Sequence, residues 1–289
     1  MSTRYTSRII HHIVFAAMIF FLIGCGQVSL SITDAPIDNA EAVEIVFTGV
    51  EIQPETGSVI SIDFQTAKTV NLLDLNNGLS EKLLTDEPLE EGKYSSIKLK
   101  IDIDNSFITI DGTVFPLRIP DGAESGLQVA RDFTVSFSGS TDLIIDFDLR
   151  KSLFNPEDDN SDYVLRPTLR LLDINESGSI SGQVDASLLS SFSACFDDSG
   201  TVNADLYVFS GADITPNDID GSVPVVVTST NILADMTYKI GYLEAGDYTV
   251  SLTCEADLDD PATNDSIFFI QSNNVSVNSG QDSILGFSL

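Results

Sequence analysis

The chain has 289 residues, 14 Lys+Arg against 44 Asp+Glu, a formal charge of −30 and a pI near 4.1. That length makes one large domain or two ordinary ones, since domains average ~100–200 residues. A hydrophobic share of 43% excludes wholesale disorder, and the charge excludes polyanionic partners such as nucleic acid.

Residues 1–12 carry Arg4, Arg8, His11 and His12 and no acid, and an apolar run follows from Ile13 to Ile23. This is the charged and then apolar order of a secretory signal. The run falls well short of the ~20 residues that a membrane-spanning helix needs, and no later apolar run is long enough. It ends in Leu22-Ile23-Gly24-Cys25, which resembles the bacterial lipobox. A small residue precedes the cut, and the new N-terminal Cys offers its thiol to a lipid. The expectation is a signal peptide over 1–24 and an acylated, palmitate-bearing Cys25 opening a lipidated N-terminus, 25–27. Cleavage would leave 289 − 24 = 265 residues, no histidine, and a charge of 12 − 44 = −32. Gly26, rather than Asp, after the Cys resembles an outer-membrane sorting signal of a Gram-negative cell. At ~0.8 kcal/mol per buried CH₂, several acyl chains anchor a protein stably.

Alternation dominates after Gly26. Val28, Leu30 and Ile32 point one way and Ser29, Ser31 and Thr33 the other, the mark of a half-buried antiparallel strand. Asp38 with Glu41 is spaced to cap a short helical turn. Val43, Ile45 and Phe47 continue the period, then Val50 and Ile52 fall on the wrong parity, so Gly49 predicts a β-bulge. Strands are further predicted at 58–63, 68–75, 97–103, 106–110, 113–119, 127–137, 141–149 and 163–173. The polar stretch from Asn175 to Ser179 suits a linker. Beyond it, strands are predicted at 179–185, 201–210, 223–228, 236–243, 247–256, 267–271, 273–278 and 283–288. The fold class is therefore all-β: two β-sandwich domains, Ig-like or prealbumin-like, behind the signal.

Leu89-Glu90-Glu91-Gly92-Lys93-Tyr94 in the first half is echoed by Leu243-Glu244-Ala245-Gly246-Asp247-Tyr248 in the second. A glycine turn with Tyr at the following strand start predicts a tyrosine corner in each sandwich, the hydroxyl tied back to backbone. Residues 25–175 hold 11 basic and 27 acidic side chains; residues 176–289 hold 17 acids and one base, Lys239.

Several blocks of the first half resemble the bacterial domain-of-unknown-function family 4382, usually found on secreted lipoproteins. They are Ser29-Leu30-Ser31-Ile32-Thr33-Asp34-Ala35-Pro36, Ala42 to Glu51, the Leu89 to Tyr94 turn, Asp146-Phe147-Asp148-Leu149-Arg150-Lys151-Ser152, and Tyr163 to Arg170. The resemblance spans about 28–173, with an acidic insertion at 155–162, and implies an architecture and no catalytic residue. The Leu243 to Val250 turn and strand rhythm of the second half resembles the prealbumin-type sandwiches of carboxypeptidase-regulatory and Cna B-type modules. The division is then 1–24, 25–27, 28–175 and 176–289.

With no histidine in the mature chain, His-activated nucleophiles and His metal ligation are absent. Acylation of Cys25 leaves Cys195 and Cys254, an even pair that in an oxidising compartment predicts a disulfide. Asp146 and Asp148 share one strand face and could serve as acid and base of a polysaccharide hydrolase. Pairing of 141–149 with 163–173 would instead join them to Arg166 and Arg170 in cross-strand ion pairs. Calcium is the cofactor candidate. Asp173 to Ile180 mimics the start of an EF-hand loop, but Val184 stands where the bidentate Glu belongs, and linker is the preferred reading. Asp158/Asp159/Asp162 and Asp257/Asp259/Asp260/Asp265 are other acidic clusters. Tyr163, Tyr207, Tyr238 and Tyr242 are the candidate glycan-stacking side chains in a chain without Trp, with packing within the strands as the preferred reading. No catalytic, cofactor or metal residue is assigned. The expected protein is a non-enzymatic, lipid-anchored envelope protein with a binding or scaffolding role. Its partners would be the membrane through its lipid and an envelope protein or glycan; the alternative is a calcium-dependent or glycan-binding adhesive module.

Overall fold

The computed structural model describes residues 25–289 apart from 36, 38, 39, 121–125, 156–162 and 198. The signal segment, Asp38 and the acidic triplet Asp158/Asp159/Asp162 lie outside the described residues. The first half contributes β1 (Cys25–Ala35), β2 (Ala42–Pro54), β3 (Ile60–Asn71), β4 (Glu81–Glu90), β5 (Gly92–Ile101), β6 (Phe107–Ile110) and β7 (Thr113–Arg118). It continues with β8 (Leu127–Val135), β9 (Ser140–Asp148), a helical turn α1 (Leu149–Ser152), β10 (Leu153–Phe154), β11 (Tyr163–Leu165) and β12 (Leu169–Asp173). The second half contributes β13 (Ser177–Gln183), α2 (Ala186–Leu189), β14 (Asp205–Ser210), β15 (Val226–Asn231), β16 (Thr237–Glu244), β17 (Gly246–Thr253), β18 (Phe269–Val277) and β19 (Asp282–Ile284).

Period-two side chains explain how these strands layer. A four-stranded sheet, β12-β9-β1-β4, faces an eight-stranded one, β10-β11-β7-β6-β2-β5-β8 with β3 beside β2. Val28, Leu30 and Ile32 of the first sheet and Ile45, Ile97 and Leu99 of the second are fully buried in one shared core. In the second half, β16-β13-β19 and β15-β14-β17-β18 close over a separate core containing Ile180, Leu206, Val250 and Phe287. Both halves are β-sandwiches, and the all-β expectation holds.

Register shifts on both sides of β2 between Phe47 and Gly49 mark the expected bulge. A Cβ on Gly49 would lie 2.4 Å from the Ile62 carbonyl oxygen, so only glycine fits this crossing. On the far side of the bulge Glu51 and Lys98 are cross-strand partners, with Nζ and Oε2 3.4 Å apart. Glu41 caps no helix: β2 starts at the next residue, and its carboxylate accepts the Gly112 amide.

Both tyrosine corners are present. Tyr94 Oη donates to Glu90 O at 2.8 Å, and Tyr248 Oη donates to Glu244 O at 2.8 Å. The rings are buried, and burial raises both phenols above their ordinary pKa. Each hydroxyl closes the turn that carries the chain from one sheet of its sandwich to the other. Tyr94→Phe and Tyr248→Phe are each expected to lower the stability of their sandwich by ~1 kcal/mol, the net worth of one buried hydrogen bond. Chemical denaturation of the two variants checks this; unchanged midpoints in both would reject it.

Several expectations are corrected. β1 runs parallel to β9, not in an all-antiparallel sheet, and its polar face is buried too, Ser29, Ser31 and Thr33 all being under 5% exposed. The segments 58–63 and 68–75 are one strand and a 3₁₀ turn, and 267–271 and 273–278 are one strand. β5 stops at Ile101, and Ile103 opens a 3₁₀ turn. Asn175 to Ser179 is no slack linker: a 3₁₀ turn covers Ile174–Glu176, and Ser177 already pairs with Glu244.

Candidate functional site

Asp146 and Asp148 end strand β9, and the chain then makes one helical turn. Asp148 caps it, its Oδ1 accepting the Lys151 amide at 3.2 Å. The turn carries two cations, and both reach the second sandwich. Lys151 Nζ lies 2.7 Å from Asp148 Oδ2 and donates to Val227 O at 3.2 Å. Arg150 reaches the second sandwich, with Nη2 donating to Asp205 Oδ1 at 2.9 Å and Nη1 to Ala256 O at 3.0 Å. Both members of that ion pair are at least 95% buried. The Arg150 guanidinium sits 6.0 Å from the Tyr207 ring centre, and Tyr207 Oη donates to Asp259 Oδ2 at 2.8 Å. Burial pushes the Tyr207 phenol far above its ordinary value.

Asp146 is engaged from the other side. Arg170, its cross-strand partner, donates to Oδ2 through Nε at 3.1 Å and also through Nη2. The expected pairing therefore holds for Asp146 and Arg170. It fails for Asp148 and Arg166, because of the expected 163–173 strand only β12 pairs with β9. Tyr163 to Leu165 instead pairs with β7 and β10, which places the Arg166 guanidinium 3.9 Å over the Phe154 ring.

A second contact crosses between the halves at the turn after Leu75. Asn77 has a positive φ of 54°. Its Nδ2 donates to Asn231 Oδ1 at 2.8 Å, and its Oδ1 accepts the Lys239 amide at 3.0 Å. A Cβ on Gly241 would lie 3.0 Å from Gly78 Cα, so glycine permits this backbone approach. Nearby, a cavity of about 20 Å³ is lined by Thr33, Asp34 and Asp146 on one side and Thr228, Ser229 and Thr230 on the other. Asp34 Oδ2 and Ser229 Oγ have no hydrogen-bond partner among the described residues, and a space of this size holds about one water. Burial raises the Asp34 carboxyl well above the usual range and the neighbouring Asp146 and Asp148 add to the shift, against a hydrogen bond from the Leu149 amide.

This turn lies within the Asp146 to Ser152 block. Residues 25–167 match the family model described as Domain of unknown function (DUF4382). The DUF4382 match ends just before β12, the strand that brings Arg170 to Asp146. No curated protein matches the chain. Among solved structures it is similar to the Bacillus anthracis TIE protein at 12% identity and a TM-score of 0.22, covering 91% of this chain and 34% of that one. GBS52, the minor pilin of Streptococcus agalactiae, gives 10% identity, a TM-score of 0.21 and coverage of 90% and 94%. The fimbrial anchor protein Mfa2 of Porphyromonas gingivalis gives 13%, 0.20, and 88% and 99%. The chain thus spans about a third of the Bacillus protein's length, and scores this low place no functional residue on it.

Outside the DUF4382 region, Cys195 and Cys254 are joined as a disulfide, both within the second core. Cys25, the first residue of the DUF4382 match, is exposed and free. Packing, not a glycan platform, engages the candidate tyrosines: Tyr163, Tyr207 and Tyr238 are buried, and Tyr242 Oη donates to Ser80 Oγ at 3.2 Å across the two halves. Of the acidic loop, Asp259 accepts from Tyr207, and Asp265 Oδ2 accepts the Asp260 amide and the Thr263 hydroxyl. Asp173 Oδ1 accepts the Asn175 amide. Among the described residues no three Asp, Glu, His or Cys side chains are arranged to hold a metal ion. Sequence reasoning missed Arg150, Asp205 and Asn77. Arg150 stood inside a quoted motif, but nothing local shows that a cation after a strand crosses to another domain.

Proposed function

We propose that the protein is a lipid-anchored, non-catalytic scaffold or binding component of the cell envelope. By the residue after its Cys, its place is the outer membrane of a Gram-negative bacterium. One observation carries the reading. The carboxylates best placed for chemistry, Asp146 and Asp148, are tied to Arg170 and Lys151 beside the turn that fastens the two sandwiches through Arg150 and Asp205. Groups held this way serve cohesion: a buried charge pair tolerates loss of neither partner, whereas an acid–base pair must exchange protons with a substrate. Two modules fastened together and tethered at one end suit a part that presents a surface at a set place.

The test is metabolic labelling of producing cells with an alkyne fatty acid, followed by membrane fractionation. The wild-type protein is expected to carry label and sediment with membranes, and Cys25→Ala to do neither. An unlabelled, soluble wild-type protein would overturn the anchor. Hydrolysis of an envelope polysaccharide by the pure protein, abolished in Asp146→Asn, would overturn the non-catalytic part.

A further inference from the structure

Strand β1 leaves no slack behind Cys25. Cys25 itself pairs with Glu90 and Gly26 with Leu89, and the Gln27 amide donates to Gly139 O at 2.9 Å. A Cβ on Gly26 would lie 2.5 Å from Ser136 O and 2.5 Å from Val135 Cγ1. The turn joining β8 to β9, residues 136–139, is thus pressed against the backbone beside Cys25. At its tip Phe137 is 61% exposed, flanked by Ser136, Ser138 and Gly139 with no charge among them.

We propose that this turn is a membrane-contact site: the lipid on Cys25 holds the Ser136 to Gly139 turn at the bilayer surface, and Phe137 enters the headgroup layer. The proposal rests on the reading of Cys25 as the lipid-bearing residue. A flexible tether of n residues gives a reach of about 5–6 Å × √n, and here the paired strand begins at the modified residue, so that reach is absent. Whatever surrounds Cys25 on this end of the first sandwich must then sit at the depth of the lipid's own attachment point. An aromatic ring is suited to that layer, since its apolar body gains from leaving water. Glu90 and Glu91, at the turn between β4 and β5, set the limit of insertion, because carboxylates are costly below the headgroups. The occupant is the bilayer that holds the Cys25 lipid, and continuity with that attachment selects Phe137 over exposed apolar side chains of the second sandwich such as Val223 and Ile284.

The chain contains no tryptophan, so Phe137→Trp introduces a single indole. The variant lipoprotein is purified in detergent, its acyl chains are counted by intact mass, and it is reconstituted into phosphatidylethanolamine vesicles with and without brominated acyl chains. Loss of fluorescence in the brominated vesicles is expected for Phe137→Trp, with none for Ile284→Trp on β19. An acylated protein that is not quenched, or equal quenching of both variants, overturns the contact. A mass without acyl chains overturns the lipid reading alone. The exposed Cys25 thiol, the one cysteine of the described residues outside the disulfide, is then coupled to a maleimide phospholipid, and the same quenching comparison decides the contact.

Discussion

Arg150→Ala is expected to lower the unfolding free energy by about 3–5 kcal/mol, the usual cost of removing one partner from a buried ion pair. Asp205 is 1% exposed, and in the variant its charge remains in place without the guanidinium 2.9 Å away. The Ala256 carbonyl loses a donor as well. Most of the loss is a desolvation penalty rather than the net worth of the attraction. Exchanging both partners for apolar side chains of similar volume, Arg150→Met with Asp205→Leu, is therefore expected to recover most of it. The contact joins two separate cores, so the single variant should also unfold in two steps where the wild-type protein unfolds in one. Guanidinium denaturation followed by circular dichroism measures all three outcomes. A single-variant loss below ~1 kcal/mol, the range of an exposed pair, would mean that water reaches this seam.

Breaking the disulfide is the other large effect. Cys195→Ala with Cys254→Ala releases a cross-link between residues 59 apart, and the chain-entropy model gives a loss of about 4 kcal/mol. The effect acts on the unfolded chain, which regains freedom that the folded protein never had. It should fall on the second sandwich, because both cysteines belong to its core and neither to the first. Thermal melts of the variant and of the wild-type protein with reductant should agree, both starting to unfold in the second sandwich at a lower temperature than the oxidised wild-type protein. An unchanged melt would show that the reduced chain is held as tightly without the bond.

Strand β4, Glu81–Glu90, was not legible in the sequence. It carries a proline and acids on both parities, so neither period nor propensity marks it. It exists because β1 offers it an edge to pair with. The fusion of 58–63 with 68–75 into β3 has the same cause: β2 pairs with both segments on either side of its bulge. In contrast, the Gly49 bulge and the two tyrosine corners were legible. Each is carried by a few neighbouring residues whose geometry hardly depends on distant parts of the chain. The Asp146 and Arg170 pair was legible in one half only: charges at matching parity were visible, but Arg166 was assigned to a strand that ends one residue before it.

Read alone, the residues specify a chain of period-two strands and turns, the tyrosine on which each sandwich closes, and the cysteines that pair. Those features follow from local alternation, from short-range turn chemistry and from a cysteine count. The buried polar face of β1, its parallel run beside β9 and the Arg150 link between the sandwiches are visible in the folded chain alone. Burial of a polar face depends on what arrives to cover it. Opposite Thr33 of β1 stand Thr228, Ser229 and Thr230 of β15, which come from a part of the chain that folds around a different core.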